Sequence, residues 1–213
     1  LRKQVFKMYE KELKTALFAA NSARKVVLDV YYSNDIGVEI KSDNSPVTKA
    51  DKASDKLIRE ILSKEFPSYS MLTEESSDDK TRLQNDYVWI VDPVDGTKEF
   101  VSKNGEFTIN IGLSYKHEAV LGVVLAPVSG KIYYAVKGLG SFYMENKDAE
   151  PVRIHANEKL TGLTALCSRF HANADEDAMI EKHSDKISTK ATIGAALKGC
   201  AIAEGSVPQI LTQ

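Results

Sequence analysis

The sequence predicts a mixed α/β (α+β) fold in layers: a helix pair first, a sheet in the middle, and mixed elements at the end. Three observations carry this reading. Apolar residues recur at helical spacing over the first third of the chain, alternate between residues 87 and 144, and mix both patterns from residue 164 onward. The 213 residues are 43 % hydrophobic and 27 % charged, an ordinary globular composition with enough chain to bury a core. With 28 Lys+Arg against 30 Asp+Glu, the net charge of −2 argues against nucleic acid as a partner. No apolar run approaches the roughly 18 residues of a membrane span, and no signal-peptide pattern opens the chain, so no membrane anchor is expected. Cys167 and Cys200 are too few for a disulfide framework or a thiolate cluster, which makes the reducing cytoplasm the expected compartment.

The elements follow in order. From Leu1 to Tyr32, Val5, Tyr9, Leu13, Ala16, Ala20, Val27 and Val30 mark one helical face with Lys, Arg and Glu opposite. Asn34, Asp35 and Gly37 punctuate, Val38–Ile40 is a short alternating piece, and Ser42–Pro46 reads as a loop. A second amphipathic helix covers Lys49 to Phe66 and stops at Pro67. Met71 opens a short apolar piece ending in Glu74-Glu75, and a polar stretch fills residues 76–86. Tyr87–Val91 suits a buried strand. Phe107–Leu113, Ala119–Leu125, Lys131–Val136 and Phe142–Met144 then alternate as an antiparallel meander. A strand near Thr164–Ser168, an acidic helix over Asp175–Lys182, a small-residue helix over Gly194–Ala203 and a strand over Val207–Leu211 complete the chain. Residues 1–150 are expected as one subdomain carrying the sheet, and residues 151–213 as a partial second one.

The most informative segment is Trp-Ile-Val-Asp-Pro-Val-Asp-Gly-Thr (89–97). A buried strand delivers Asp92 at its end, Pro93 stiffens the turn, and Asp95 can point back to the same space. Gly96 allows close backbone approach, and Thr97 adds a hydroxyl where a helix could begin. Asp-Pro and Asp-Gly are also ordinary turn dipeptides. Two carboxylates in one loop repel each other, however, and a hard cation such as Mg²⁺ resolves the repulsion while bridging to a substrate phosphate. Glu74 is a candidate for the same cation. Thr48 or Asp51 suits the N-cap of the second helix, and Asp51 with Thr97 could orient an attacking water.

Three stretches carry a family resemblance: Asp-Asn-Ser-Pro-Val-Thr-Lys-Ala-Asp (43–51), Leu-Thr-Glu-Glu-Ser (72–76) and Trp-Ile-Val-Asp-Pro-Val-Asp-Gly-Thr-Lys-Glu-Phe (89–100). They resemble the Mg²⁺-dependent, lithium-sensitive phosphatases of the inositol monophosphatase superfamily. Lys98-Glu99-Phe100 and Asn104-Gly105-Glu106-Phe107-Thr108 are similar to the CysQ branch, the 3'(2'),5'-bisphosphate nucleotidases. The likeness continues through Leu121–Pro127, Ser168–His171 and Leu197-Lys198 to Ala203-Glu204-Gly205.

The resemblance implies a layered αβαβα sandwich of the sugar phosphatase type. It implies that Glu74, Asp92, Asp95 and the carbonyl of Val94 hold two or three Mg²⁺ ions, with Glu74, Asp51 and Thr97 in the catalytic group. Asp95, Gly96 and Thr97 then hold the reacting end of the substrate, the amides of Gly96 and Thr97 on its phosphate, while His171 and Lys198 meet the nucleotide's phosphates. Without the resemblance, His171 reads as a loop histidine and Lys198 as a solvated lysine. The branch usually has Ser three residues before that Lys, where this chain has Ala195. The family also carries a Trp-Asp metal ligand followed by Ala-Ala-Gly beyond the position of Gly205, and Trp89 is the only Trp here. A partial chain is therefore expected. The expected activity is hydrolysis of the small-molecule nucleotide 3'-phosphoadenosine 5'-phosphate to AMP and phosphate. The alternatives are an inositol- or sugar-phosphate phosphatase, and a weakened nucleotide-binding pseudophosphatase lacking the last carboxylate.

Overall fold

A computed structural model of the chain describes residues 9–42, 45–78, 80–170, 174–205 and 209–211. The first helix, α1 (Glu10–Tyr31), buries Leu13, Ala16, Ala20, Ala23, Val27 and Tyr31 along one stripe. The second, α2 (Lys49–Glu65), buries Ala50, Ser54, Ile58 and Leu62 at a spacing of four. Small residues on both stripes let the two helices pack closely. A short hairpin of β1 (Glu39–Ile40) and β2 (Pro46–Val47) connects them.

The central sheet has seven strands in sequential order. They are β3 (Ser70–Thr73), β4 (Tyr87–Asp95), β5 (Thr108–Tyr115), β6 (Glu118–Leu125), β7 (Ile132–Val136), β8 (Gly140–Met144) and β9 (Val152–Ile154). The meander is antiparallel from β4 to β9, as its alternation predicts, whereas β3 joins the edge in parallel with β4. One face offers Trp89, Val91, Ile109, Ile111, Leu113, Leu121, Val123 and Leu125 to the helix pair, and this is the main core. A one-turn 3-10 segment, Thr81–Gln84, interrupts the polar stretch before β4.

A second, three-stranded sheet holds β10 (Leu163–Cys167) between β11 (Ile187–Thr192) and β12 (Gln209–Leu211), all parallel. The helices α4 (Ala174–Lys182) and α5 (Leu197–Glu204) make its two crossovers, which run in opposite directions. Because such crossovers are right-handed, they fall on opposite faces of the small sheet. A five-residue helix, α3 (Thr97–Val101), lies between β4 and β5. The face of the central sheet opposite the helix pair meets α5, where the Tyr133 hydroxyl donates to Glu204 Oε1 at 2.7 Å. The layer order is thus helix pair, large sheet, α5, small sheet, α4.

Three elements differ from the sequence reading in instructive ways. The small-residue helix begins at Leu197 rather than Gly194. Ala195 sits at φ +53° and Ala196 gives its N–H to Asp95, so neither continues a helix. The strands β9 and β11 carry no apolar alternation, since Val152-Arg153 and Ser188–Lys190 are exposed at sheet edges. The large sheet also runs past residue 150, to Ile154.

Candidate active site

The site grows from the end of β4. Asp92 pairs with Asn110 and Asp95 with Thr108, so two residues of β4 face one of β5. Pro93 has no N–H for the ladder, and the strand bulges there. The Asp95 side chain therefore turns into a nest of donors. Its Oδ2 accepts from Thr108 Oγ1 at 3.2 Å, Asn110 Nδ2 at 3.0 Å and the Ala196 amide at 2.7 Å. Asp92 Oδ1 accepts from the Val94 amide at 3.2 Å, which tightens the turn, and Val94 itself is buried.

Glu74 reaches Asp92 because of strand register. In the parallel pair Thr73 lies beside Val91, and Glu74 N donates to Val91 O at 3.2 Å, so the next side chains meet. Burial, the neighbouring charge of Asp95, and the charge and hydrogen bond of Glu74 push the Asp92 carboxyl up to about 8. Such crowding of carboxyl groups is the arrangement that a cation relieves.

Helix α2 brings the next group. Thr48 caps it, its hydroxyl accepting from Ala50 N at 3.1 Å while its own N–H donates to Asp51 Oδ2 at 2.8 Å. Thr48 Oγ1 also donates to Asp51 Oδ2 at 2.5 Å. The other carboxylate oxygen, Asp51 Oδ1, accepts from the Thr97 hydroxyl at 3.2 Å. Asp51 is buried, and desolvation raises its pKa against the pull of the bonds from Thr48 and Thr97. Ser54 Oγ donates to Pro93 O at 3.0 Å and fixes α2 to the bulge.

Gly96 links β4 to α3 at φ +90°. The positive φ favours glycine, and a Cβ there would also crowd Ala195 Cβ at 3.1 Å and Glu99 Oε2 at 3.2 Å. Beyond it opens a cleft of about 380 Å³ lined by Glu74, Asp95, Thr97, Ser168, Ala195 and Lys198, among others. Lys198 Nζ lies 3.2 Å from Ala195 O. The fold thus brings Asp51, Glu74, Asp92, Val94, Asp95, Gly96 and Thr97 together, with Lys198 across the cleft; His171 lies outside the described residues.

Among the described residues, no three His, Cys, Asp or Glu side chains converge closely enough to hold one ion in this conformation. Two side-chain engagements account for this. Asp95 is turned to its amide and hydroxyl donors, and Glu74 Oε1 is 3.0 Å from Lys41 Nζ. Lys41 also pairs with Glu75 Oε1 at 2.5 Å, and although burial opposes it, these partners raise the lysine's pKa. The chemistry of the set, carboxylate and carbonyl oxygens with mutually repelling charges, still fits a hard divalent cation. Sequence reasoning missed Lys41, Asn110 and Glu106. Only Glu106 had a signal, its place in the quoted motif; Lys41 and Asn110 become site residues through the hairpin and the β5 register.

Comparison with known proteins agrees with this fold. The model of the inositol monophosphatase family matches residues 8–212. The chain belongs to that family. Among curated relatives, the 3'(2'),5'-bisphosphate nucleotidase CysQ of Escherichia coli K12 is 35 % identical over 188 residues, covering 87 % of this chain and 74 % of the relative. CysQ of Buchnera aphidicola is 36 % identical over 190 residues, covering 88 % of this chain and 69 % of the relative. Among solved structures, CysQ from Bacteroides thetaiotaomicron superposes with a TM-score of 0.79 at 31 % identity, covering 92 % of this chain and 78 % of that one.

Proposed function

We propose that this chain is a phosphoric monoester hydrolase of the 3'(2'),5'-bisphosphate nucleotidase type, removing the 3'-phosphate of 3'-phosphoadenosine 5'-phosphate to leave AMP. The observation that carries the proposal is the Thr97–Asp51 hydrogen bond beside Asp92 and Asp95, at the mouth of a cleft with Lys198 on its far side. The similarity to CysQ nucleotidases supports the substrate class. No described helix is long and apolar enough to cross a membrane. Both cysteines are free and buried, which supports the cytoplasmic setting we propose.

Glu74, Asp92, Asp95 and the Val94 carbonyl are the groups to hold Mg²⁺. A bound divalent ion supplies positive charge to the phosphoryl oxygens and acidity to water. The protein supplies the base. Thr97 Oγ1 donates a hydrogen bond to Asp51 Oδ1, so its lone pairs can accept from a water in the cleft. As that water attacks phosphorus, its proton passes to Thr97 Oγ1 and the threonine's own proton passes to Asp51. Burial raises the basicity of Asp51, and the two bonds from Thr48 hold it in place for the transfer. The phosphorus–oxygen bond to the sugar breaks, and the ribose oxygen leaves with a proton from solvent. The amides of Gly96 and Thr97 are the donors proposed for the reacting phosphate.

The test is phosphate release from 3'-phosphoadenosine 5'-phosphate and from inositol 1-phosphate, with Mg²⁺. Faster turnover of the nucleotide is expected. Faster turnover of the inositol ester overturns the assignment in favour of an inositol-phosphate phosphatase.

A further inference from the structure

The cleft has two walls of different origin. The β4–α3 loop builds one, and Ser168, Ala195, Ala196 and Lys198, which follow β10 and β11, build the other. Two carboxylates join them: Asp95 through the Ala196 amide, and Glu106 through both segments of the far wall. Glu106, in the connection between α3 and β5, accepts from the Gly194 amide at 3.0 Å through Oε2. The same oxygen lies 2.9 Å from Arg169 Nη2, with Oε1 at 3.1 Å from that nitrogen. Its own N–H donates to Asn104 Oδ1 at 2.9 Å, which fixes the turn from which the side chain projects. The contact is intimate: a Cβ added at Gly194 would fall 2.6 Å from Glu106 O and 2.6 Å from Glu99 Cγ. Glu106 therefore ties down both segments of the far wall, Arg169 next to Ser168 and Gly194 next to Ala195.

We propose that Glu106 is a positioning residue that sets recognition of the substrate's second phosphate. The proposal rests on the nucleotidase reading above. The reacting phosphate belongs to the Asp51–Thr97 side of the cleft. The 5'-phosphate belongs to the far wall, where Lys198 supplies the cation and Ser168 a hydroxyl. Neither reaches its place unless residues 168–169 and 194–198 are held against the first wall. The Asp95–Ala196 bond at 2.7 Å secures only the second of these segments.

The experiment compares 3'-phosphoadenosine 5'-phosphate with adenosine 3'-phosphate, which keeps the reacting group and lacks the second phosphate. Glu106→Ala is expected to raise KM for the bisphosphate about tenfold, the scale of a lost charge-assisted bond. KM for the monophosphate and kcat for both should stay within about threefold. Glu106→Gln keeps an acceptor for the Gly194 amide and should recover part of the loss. Amide hydrogen exchange should rise in residues 193–196 of the alanine variant and stay unchanged in β5 and β6. An equal rise of KM for both substrates, or no rise for either, overturns the proposal, as does a fall in kcat shared by both. If the unaltered chain does not favour the bisphosphate, the nucleotidase reading fails, and this proposal with it. In that case hydrogen exchange separates the two failures by reporting whether Glu106 holds the wall.

Discussion

Asp92 shows how one side chain is set by its surroundings rather than by its type. Burial and the charges of Asp95 and Glu74 raise its pKa to about 8, so the folded, metal-free chain holds a proton that the unfolded chain releases near pH 4. Folding then binds protons between those values. The stability of the metal-free chain should be greatest at the acid end of that window and fall as pH rises through it. Asp92→Asn should flatten this dependence, raise the melting temperature near pH 8 and abolish turnover. Thermal melts from pH 5 to 8 with chelator, together with an activity assay, check it; an active, folded variant counts against the metal-site assignment. Gly96 is a second such position. Gly96→Ala forces a side chain into φ +90° against Ala195 and Glu99 and should cost about 1–3 kcal/mol, read by chemical denaturation.

At the scale of elements, the first turn of α2 does two tasks with one residue. Thr48 caps the helix and supplies two of the hydrogen bonds on Asp51. Thr48→Ala should lose about 1 kcal/mol of stability and lower kcat, because Asp51 keeps the backbone N–H of residue 48 but loses the hydroxyl bond that helps to hold it toward Thr97. Thr48→Ser should restore both, which a denaturation curve beside a rate measurement would show; recovery of stability without rate would mean that the threonine methyl matters. This cap was legible in Thr-Lys-Ala-Asp, as were both long helices, because capping and periodicity are local properties. The strand β11 was not legible, since an exposed edge strand needs no apolar face. Nor was the start of α5, which Asp95 sets from 101 residues away in the chain.

For the whole molecule, the layers matter because they bring distant segments to one cleft. If Glu74, just after β3, and the oxygen donors of β4 hold Mg²⁺, the ion stabilises the folded chain alone. At about ten times its dissociation constant, Mg²⁺ should add about 1.4 kcal/mol to unfolding free energy, and chelator should remove it. A melting curve that Mg²⁺ leaves unmoved would contradict the site.

The sequence by itself determined the helix pair, the meander and the acidic loop, and it pointed to the family through motifs with fixed spacing. Those features depend on neighbours a few residues apart, so periodicity and turn chemistry reveal them. The tertiary structure decided what the acidic residues do with one another. Parallel register sets Glu74 beside Asp92, the Pro93 bulge turns Asp95 toward Ala196, and the hairpin brings Lys41 onto Glu74. It also decided that Glu106 holds two segments of the far wall, 63 and 88 residues further along the chain. Such contacts arise from strand register and layer packing, which depend on the whole chain folding at once and leave no periodic trace in any short stretch of it.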